Sequence, residues 1–283
     1  MNAFWVLTIF LIGILTGCHR APAPTPTPTA TNQPVVNQSI TTNQAPPLVT
    51  PPIPVPAPPV DNRVPEALKL KADGKPIEAR ALLQELATND QAAAALGELN
   101  SQIVLTALSA PEQLDYTIQP GDTLGKIASR YGTTIELLRK ANHLTGDKIR
   151  VGDRLRIYQG KFAVVVSKNA NTLTVTDAGK FFKRYRVGTG QFSKTPVGDF
   201  KITVRQEKPD WHRGDKIVPF GDPENILGTH WLGLDVRGYG IHGTWETNSI
   251  GKQSSAGCIR MLNDDVAELF TLLPVGTPVS IHD

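Results

Sequence analysis

The chain has little net charge: 29 basic residues against 26 acidic ones leave +3. Its Lys, Arg and His are scattered rather than gathered into stripes, which removes the case for a nucleic-acid partner. The apolar run at the N-terminus, within "MNAFWVLTIFLIGILTGC", holds about fifteen nearly uncharged residues, and roughly 20 are needed to cross a bilayer. No Lys or Arg precedes that run. Residues 21–60 lack charge altogether and instead carry thirteen prolines. Cysteine is scarcest: Cys18 ends the apolar run, and Cys258 is the only thiol after it. No short ligand pair at metal spacing accompanies either thiol, so a zinc site built from His230, His242 and Cys258 has no sequence support.

The N-terminal run fits the apolar core of a secretory signal peptide over residues 1–17. Its last four residues, Leu15-Thr16-Gly17-Cys18, resemble the lipobox of bacterial lipoproteins. That resemblance implies cleavage before Cys18, acylation there and membrane attachment through the lipid. The missing positive charge departs from the pattern, and an ordinary cleaved signal or a short anchor is the alternative. A lipidated Cys18 cannot pair with Cys258, and an odd thiol in an exported protein suggests a reactive group. The proline-rich stretch within residues 18–63 favours extended polyproline II over a packed state and reads as a disordered tether. At ~3.1 Å per residue its length is on the order of 100 Å. A proline-rich ligand for a partner domain is the less favoured reading. Residues 64–110 turn Ala- and Leu-rich, with Leu96, Leu99, Ile103 and Ala107 at helical spacing and Pro76 opening a helix. One such helical unit is too small for a solenoid core, so it is expected to act as a spacer or packing element.

From Tyr116 the chain reads "YTIQPGDTLGKIASRYGTTIELLRKANHLTGDKIRVGDRLRIY". A strand over Tyr116 to Gln119 meets the Pro120-Gly121 turn. Asp122 and Thr123 are placed to cap a helix carrying Leu124, Ile127 and Ala128, which Gly132 stops. A second helix presents Ile135, Leu138 and Ala141, and Leu155-Arg156-Ile157 closes a second strand. This β-α-α-β unit, residues 114–159, has no ionisable group poised for chemistry and is expected to bind. It resembles a LysM domain through "YTIQPGDTL", "IASRYGTT", Asn142 with Leu144, and "I..GDRLRI". The resemblance implies recognition of N-acetylglucosamine-containing glycan between the loop Gly121, Asp122, Thr123, Leu124 and the loop after Asn142. Folding alone is the competing role for these positions.

Residues 161–283 read mainly as strands: "FAVVVS" and "TLTVTD" around a "KNAN" turn, then "FKRYRVG" and "DFKITVR". Gly188 and Gly190 form a lone GxG with no helix behind it, weak support for a phosphate loop. A loop lining a cleft is the better expectation. Within "GYGIHGTWETNSIGKQSSAGCIRM", Cys258 needs a base or positive charge to act as a nucleophile, and His242 is the candidate. Ala256 and Gly257 are small enough to admit substrate and leave the Gly257 and Cys258 N–H groups as oxyanion donors. Arg260 shares a strand face with Cys258 and is placed to meet a substrate carboxylate, or else to pair with Asp264 or Asp265.

"IHGT", "SSAGCIRM", "KTPVGDF", "LGTHWLGL" and "NDDVAELFTLLPVGTPVSI" together resemble the YkuD-type L,D-transpeptidase catalytic domain. The resemblance implies Cys258 as nucleophile, His242 as general base and acid, and the Gly243 carbonyl orienting the imidazole. It gives Arg260 a supporting or carboxylate-binding role. One departure is Ala256, where many members carry His. The implied reaction is acyl transfer on peptidoglycan without metal or organic cofactor. Cys258 attacks the third residue of a tetrapeptide stem, D-Ala leaves, and an amine of a second stem or a protein takes the thioester. Water as acceptor would make a carboxypeptidase, and a decayed enzyme domain would leave a peptidoglycan-binding tether. The expected fold is multidomain: tether, helical segment, LysM module and mainly-β catalytic domain. The expected location is the cell envelope. In a two-membrane bacterium the resemblance, with His19 where an Asp would retain the lipoprotein, favours the outer membrane with the protein facing the periplasm; the sequence leaves the envelope type open. The sequence leaves the oligomeric state open.

Overall fold

The computed structural model describes residues 63–106 and 108–283. The expected signal peptide, Cys18, nearly all of the tether, and Ala107 lie outside the described residues. No helix among the described residues is long and apolar enough to cross a membrane.

Three helices come first: α1 (Arg63–Ala72), α2 (Pro76–Glu85) and α3 (Asp90–Leu105). Gly74, at φ +75°, turns the chain between α1 and α2, and Pro76 opens α2 where its missing N–H costs nothing. Asn89 caps α3, its Oδ1 accepting from the N–H groups of Gln91 (2.9 Å) and Ala92 (3.1 Å). Leu83, Leu96, Leu99 and Ile103 form the shared core of the three helices. The helices are packed rather than merely strung between domains. Asn100 Nδ2 donates to the Phe182 carbonyl at 2.8 Å, and Lys183 Nζ lies 2.9 Å from carboxylates of both Glu98 and Glu268. The hydroxyl of Ser101 also donates to Glu268.

The second unit is β1 (Gln113–Thr117), α4 (Leu124–Tyr131), α5 (Ile135–Ala141) and β2 (Arg154–Tyr158), with β1 and β2 antiparallel. The first strand ends earlier than the sequence implies. Gln119 N–H is taken by Asp122 Oδ2 at 2.9 Å instead of by the ladder. Thr123 alone caps α4, its Oγ1 accepting from Lys126 N–H at 3.2 Å, and left-handed Gly132 (φ +63°) ends it.

The third unit comprises β3 (Phe162–Ser167), β4 (Thr172–Asp177), β5 (Lys180–Arg186), β6 (Thr189–Gly190), β7 (Gly198–Glu207), β8 (Trp211–Arg213) and β9 (Lys216–Val218). It continues through β10 (His230–Leu234), β11 (Gly240–Thr244), β12 (Gln253–Ser255), β13 (Ile259–Leu262), α6 (Asn263–Leu272) and β14 (Pro278–His282). Eight strands form one mixed sheet in the order β13-β11-β10-β7-β14-β3-β4-β5. Alternation selects its buried face: Val164 and Val166 on β3, Leu173 and Val175 on β4, and Val279 and Ile281 on β14 all join one core. The mainly-β reading of this domain therefore holds. α6 covers the buried face with Val266, Leu269 and Phe270. At the far edge α3 lies on β5, where Asn100 satisfies an edge carbonyl.

The β-α-α-β unit is also joined to this core. Leu137 of α5 and Tyr158 of β2 belong to the same apolar cluster as the sheet. Thr134 donates to the Thr271 carbonyl. Arg205 stacks 4.1 Å from the centre of the Phe270 ring and pairs with Glu136 at 2.9 Å.

Candidate active site

The segment "GIHGT" is β11, held between β10 and β13 with all five residues buried. β11 and β13 run parallel, with His242 opposite Arg260 and Ile241 opposite Ile259. Cys258, one residue before β13, therefore arrives at the same strand pair as His242. Both line a cavity of about 490 Å³ together with Trp211, Leu227, Trp231 and Tyr239.

His242 is fixed from several sides. Its Nδ1 lies 2.6 Å from the Gly243 carbonyl. A carbonyl only accepts, so Nδ1 carries the hydrogen and Nε2 is left as the basic nitrogen. The Trp231 ring lies nearly parallel to the imidazole, with centroids 5.8 Å apart. Burial, reinforced by the charge of Arg260, lowers the imidazole pKa to about 4 against the opposing pull of the Gly243 and Leu227 main chains, which favour the protonated ring by accepting its hydrogen bonds. At neutral pH the ring is an uncharged base. A Cβ at Gly243 would collide with Asn263 Oδ1, so any larger residue would displace the Asn263 side chain. Asn263 clamps this corner: its Oδ1 accepts from Thr229 N–H at 3.1 Å, and its Nδ2 donates to the Thr244 carbonyl at 3.2 Å.

The thiol is held on a braced turn. Ser255 Oγ donates to the Cys258 carbonyl at 2.6 Å and accepts from Gly257 N–H at 3.1 Å. The Gly257 N–H, expected as an oxyanion donor, is thus engaged within the turn, because the Ser255 hydroxyl reaches it first. Gly257 has φ +139°, and a Cβ would press on the Tyr239 ring at 2.7 Å. Thr195, 1% exposed, accepts from Gly190 N–H at 2.8 Å and donates to the Gly257 carbonyl at 2.7 Å. The Gly188–Phe200 stretch therefore braces the cysteine turn and contributes no side chain to the cavity wall, contrary to the expectation of a cleft-lining loop. Gly188 itself exchanges two 2.8 Å main-chain bonds with Arg260.

Cys258 Sγ donates to the Gly238 carbonyl at 3.5 Å, a weak thiol bond. Burial raises its pKa, partly offset by the Gly240 main chain and the charge of Arg260. The resting pair is therefore thiol and neutral imidazole. Arg260 pairs with Glu246 at 2.8 Å rather than with Asp264 or Asp265, since those two belong to the first turn of α6. Arg260 Nε is buried with no partner, and the side chain lines the cavity. Ala256 lies exposed on the same wall. No group of three or more His, Cys, Asp or Glu among the described residues is arranged to hold a metal ion.

In the β-α-α-β unit the expected glycan-contact residues are largely consumed by folding. Asp122 accepts from Tyr116 OH (2.5 Å) and Gln119 N–H, and these bonds lower its pKa. It does not cap α4. Leu124 is 2% exposed. Asn142 spends its amide on Leu138 and on both main-chain groups of Arg156. Thr123 is the cap, and Gly121 (φ +83°) stays exposed with its carbonyl accepting from Lys126 Nζ. Thr195, Ser255, Asn263 and Asn225 were not singled out from the sequence. Polar residues of this kind are common in loops, and only the fold reveals which of them are buried.

Residues 161–281 match the L,D-transpeptidase catalytic domain family (YkuD), and residues 116–157 match the LysM domain. A putative L,D-transpeptidase, YqjB, of Bacillus subtilis (strain 168) is 44% identical over 126 residues, covering 42% of this chain and 70% of that protein. A putative L,D-transpeptidase, YkuD, of Bacillus licheniformis is 38% identical over 176 residues, covering 59% of this chain and 98% of that protein. A solved L,D-transpeptidase from Mycobacterium smegmatis aligns with a TM-score of 0.39 and 23% identity, over 47% of this chain and 65% of that one. The assignment rests on the sequence relatives and the two family matches.

Proposed function

Because the chain belongs to the YkuD-type L,D-transpeptidase family and carries a LysM domain, we propose that it transfers acyl groups between peptidoglycan stem peptides through a thioester on Cys258. One arrangement carries the reading: parallel pairing of β11 with β13 delivers a neutral, oriented imidazole and a lone thiol to the same cavity.

In the first half-reaction the Cys258 thiol turns from the Gly238 carbonyl toward His242 Nε2. Such catalytic contacts are often long before substrate binds. The thiol loses its proton to the imidazole as Sγ attacks the carbonyl of the third stem residue. With Gly257 N–H committed to Ser255, the main-chain donor for the oxyanion is the Cys258 N–H. The imidazolium, stabilised through Nδ1–H by the Gly243 carbonyl, returns the proton to the departing amine of D-Ala. In the second half an amine of another stem attacks the thioester. Its proton passes through His242, and the thiol is restored. Arg260, which lines the cavity and keeps a buried Nε without a partner, is suited to a substrate carboxylate.

The LysM unit supports glycan binding beside this chemistry. The lipobox-like Leu15-Thr16-Gly17-Cys18 and His19 support a lipid-anchored envelope protein, in a two-membrane cell on the outer membrane facing the periplasm. Incorporation of labelled fatty acid, lost in Cys18→Ser, tests the anchor.

The decisive experiment incubates the full chain, wild type and Cys258→Ala, with purified tetrapeptide muropeptides and follows products by mass spectrometry. Cysteine-dependent dimers lacking one D-Ala are expected. D-Ala loss without dimers would make water or a protein the acceptor. Absence of both D-Ala loss and any covalent adduct, with binding to sacculi retained, would leave a tether.

A further inference from the structure

Among the side chains lining the cavity of Cys258 and His242, Asp210 is the only carboxylate. The remaining charges there are cationic, and Arg260 is already paired with Glu246. Asp210 has no cation partner among the described residues. Its Oδ1 accepts from Phe220 N–H at 3.1 Å, which fixes the side chain and leaves the second oxygen open. The backbone beneath it is braced as well. Asn225, 2% exposed, donates to the carbonyls of Pro209 (2.9 Å) and Val218 (3.0 Å) and accepts from Leu227 N–H at 2.9 Å. Asp210 is exposed to solvent, so its charge is carried by water while the cavity is empty, and its place beside Trp211, Ile226, Leu227 and Trp231 puts a fixed, unpaired carboxylate where a cationic ligand with an apolar stem can meet both.

We infer that Asp210 reads the side-chain ammonium of the diamino acid at the third position of the donor stem, and so selects stems whose third residue carries a free amine. The inference rests on the transpeptidase reading. Its dimensions agree: a cavity of 490 Å³ is about 10 Å across if compact. A diamino acid side chain reaches roughly 6 Å from its Cα to its terminal nitrogen. With the acyl carbon at Sγ, a side chain of that reach stays within the cavity that Asp210 lines, and its methylenes can lie along the indole and aliphatic side chains. This amine is a bystander in acylation, so it stays protonated and bound while the scissile carbonyl reacts.

The test compares D-Ala release by the full chain from two tetrapeptide muropeptides, one with a free side-chain amine and one with that amine acetylated. Wild type is expected to favour the free amine by at least tenfold in kcat/KM. In Asp210→Asn, which keeps an oxygen for the Phe220 N–H, that preference should shrink to within about twofold. Asp210→Glu should recover part of it. A tenfold preference surviving in Asp210→Asn, or no preference in wild type, overturns the assignment while leaving the transpeptidase reading standing. No D-Ala release from either peptide by wild type removes the underlying reading and this inference with it.

Discussion

His242 and Cys258 start as neutral partners, unlike the ion pairs that activate many catalytic thiols, and their titration behaviour follows. Burial holds the imidazole at about 4, so the acid limb of kcat/KM should fall through about pH 4 rather than near the usual histidine range. A limb centred near 6.5 in the pH–rate profile would contradict this. The same burial affects stability. The unfolded chain protonates His242 first as pH falls, so folding stability is full above about 6.5 and is lost as pH falls toward 4. The loss amounts to about 3 kcal/mol by linkage. Melting temperatures across that window should flatten in His242→Gln. The thiol is pushed the other way, so the rate of Cys258 alkylation by iodoacetamide should inflect above the range of an ordinary free cysteine. That Cys258 and His242 would come together was legible in the sequence because one is chemically scarce and the other stands in a glycine-containing strand, and the two do line one cavity. The residues that restrain them were not legible: Ser255 and Thr195 are ordinary loop hydroxyls until burial makes each of their hydrogen bonds costly to lose.

Between elements, the support of the cysteine turn by the Gly190–Thr195 stretch is open to direct test. Thr195→Val keeps the volume but strands the Gly190 N–H and the Gly257 carbonyl, at about 2–3 kcal/mol. Because the stranded groups border Cys258, kcat should drop more than tenfold even at temperatures where circular dichroism reports a folded protein. Unchanged kcat would mean that the turn holds itself. Local elements could be read from turn chemistry: the Pro120-Gly121 corner, the turn between β3 and β4, and Gly132 at the end of α4. The parallel partnership of β11 and β13 could not, because strand alternation says which face is buried and nothing about which distant strand lies alongside. The same limit hid the bond between Asn100 and Phe182, which joins residues 82 apart.

Across the whole molecule, three sequence modules share packed boundaries. Leu137 sits in the LysM-like unit yet is 1% exposed within the core of the catalytic sheet. Leu137→Ala should therefore cost about 2–5 kcal/mol and lower one common unfolding transition. Two separate calorimetric transitions, with only the smaller one shifted, would show the modules to be independent. Only Gln159, Gly160 and Lys161 separate β2 from β3, and Thr134, Glu136 and Arg205 fasten the same boundary. A module joined this closely has no swing. If the module grips a glycan strand as proposed, the same offset along that strand is presented to the thiol. On the proposed function, attachment would then act as an address as well as an affinity.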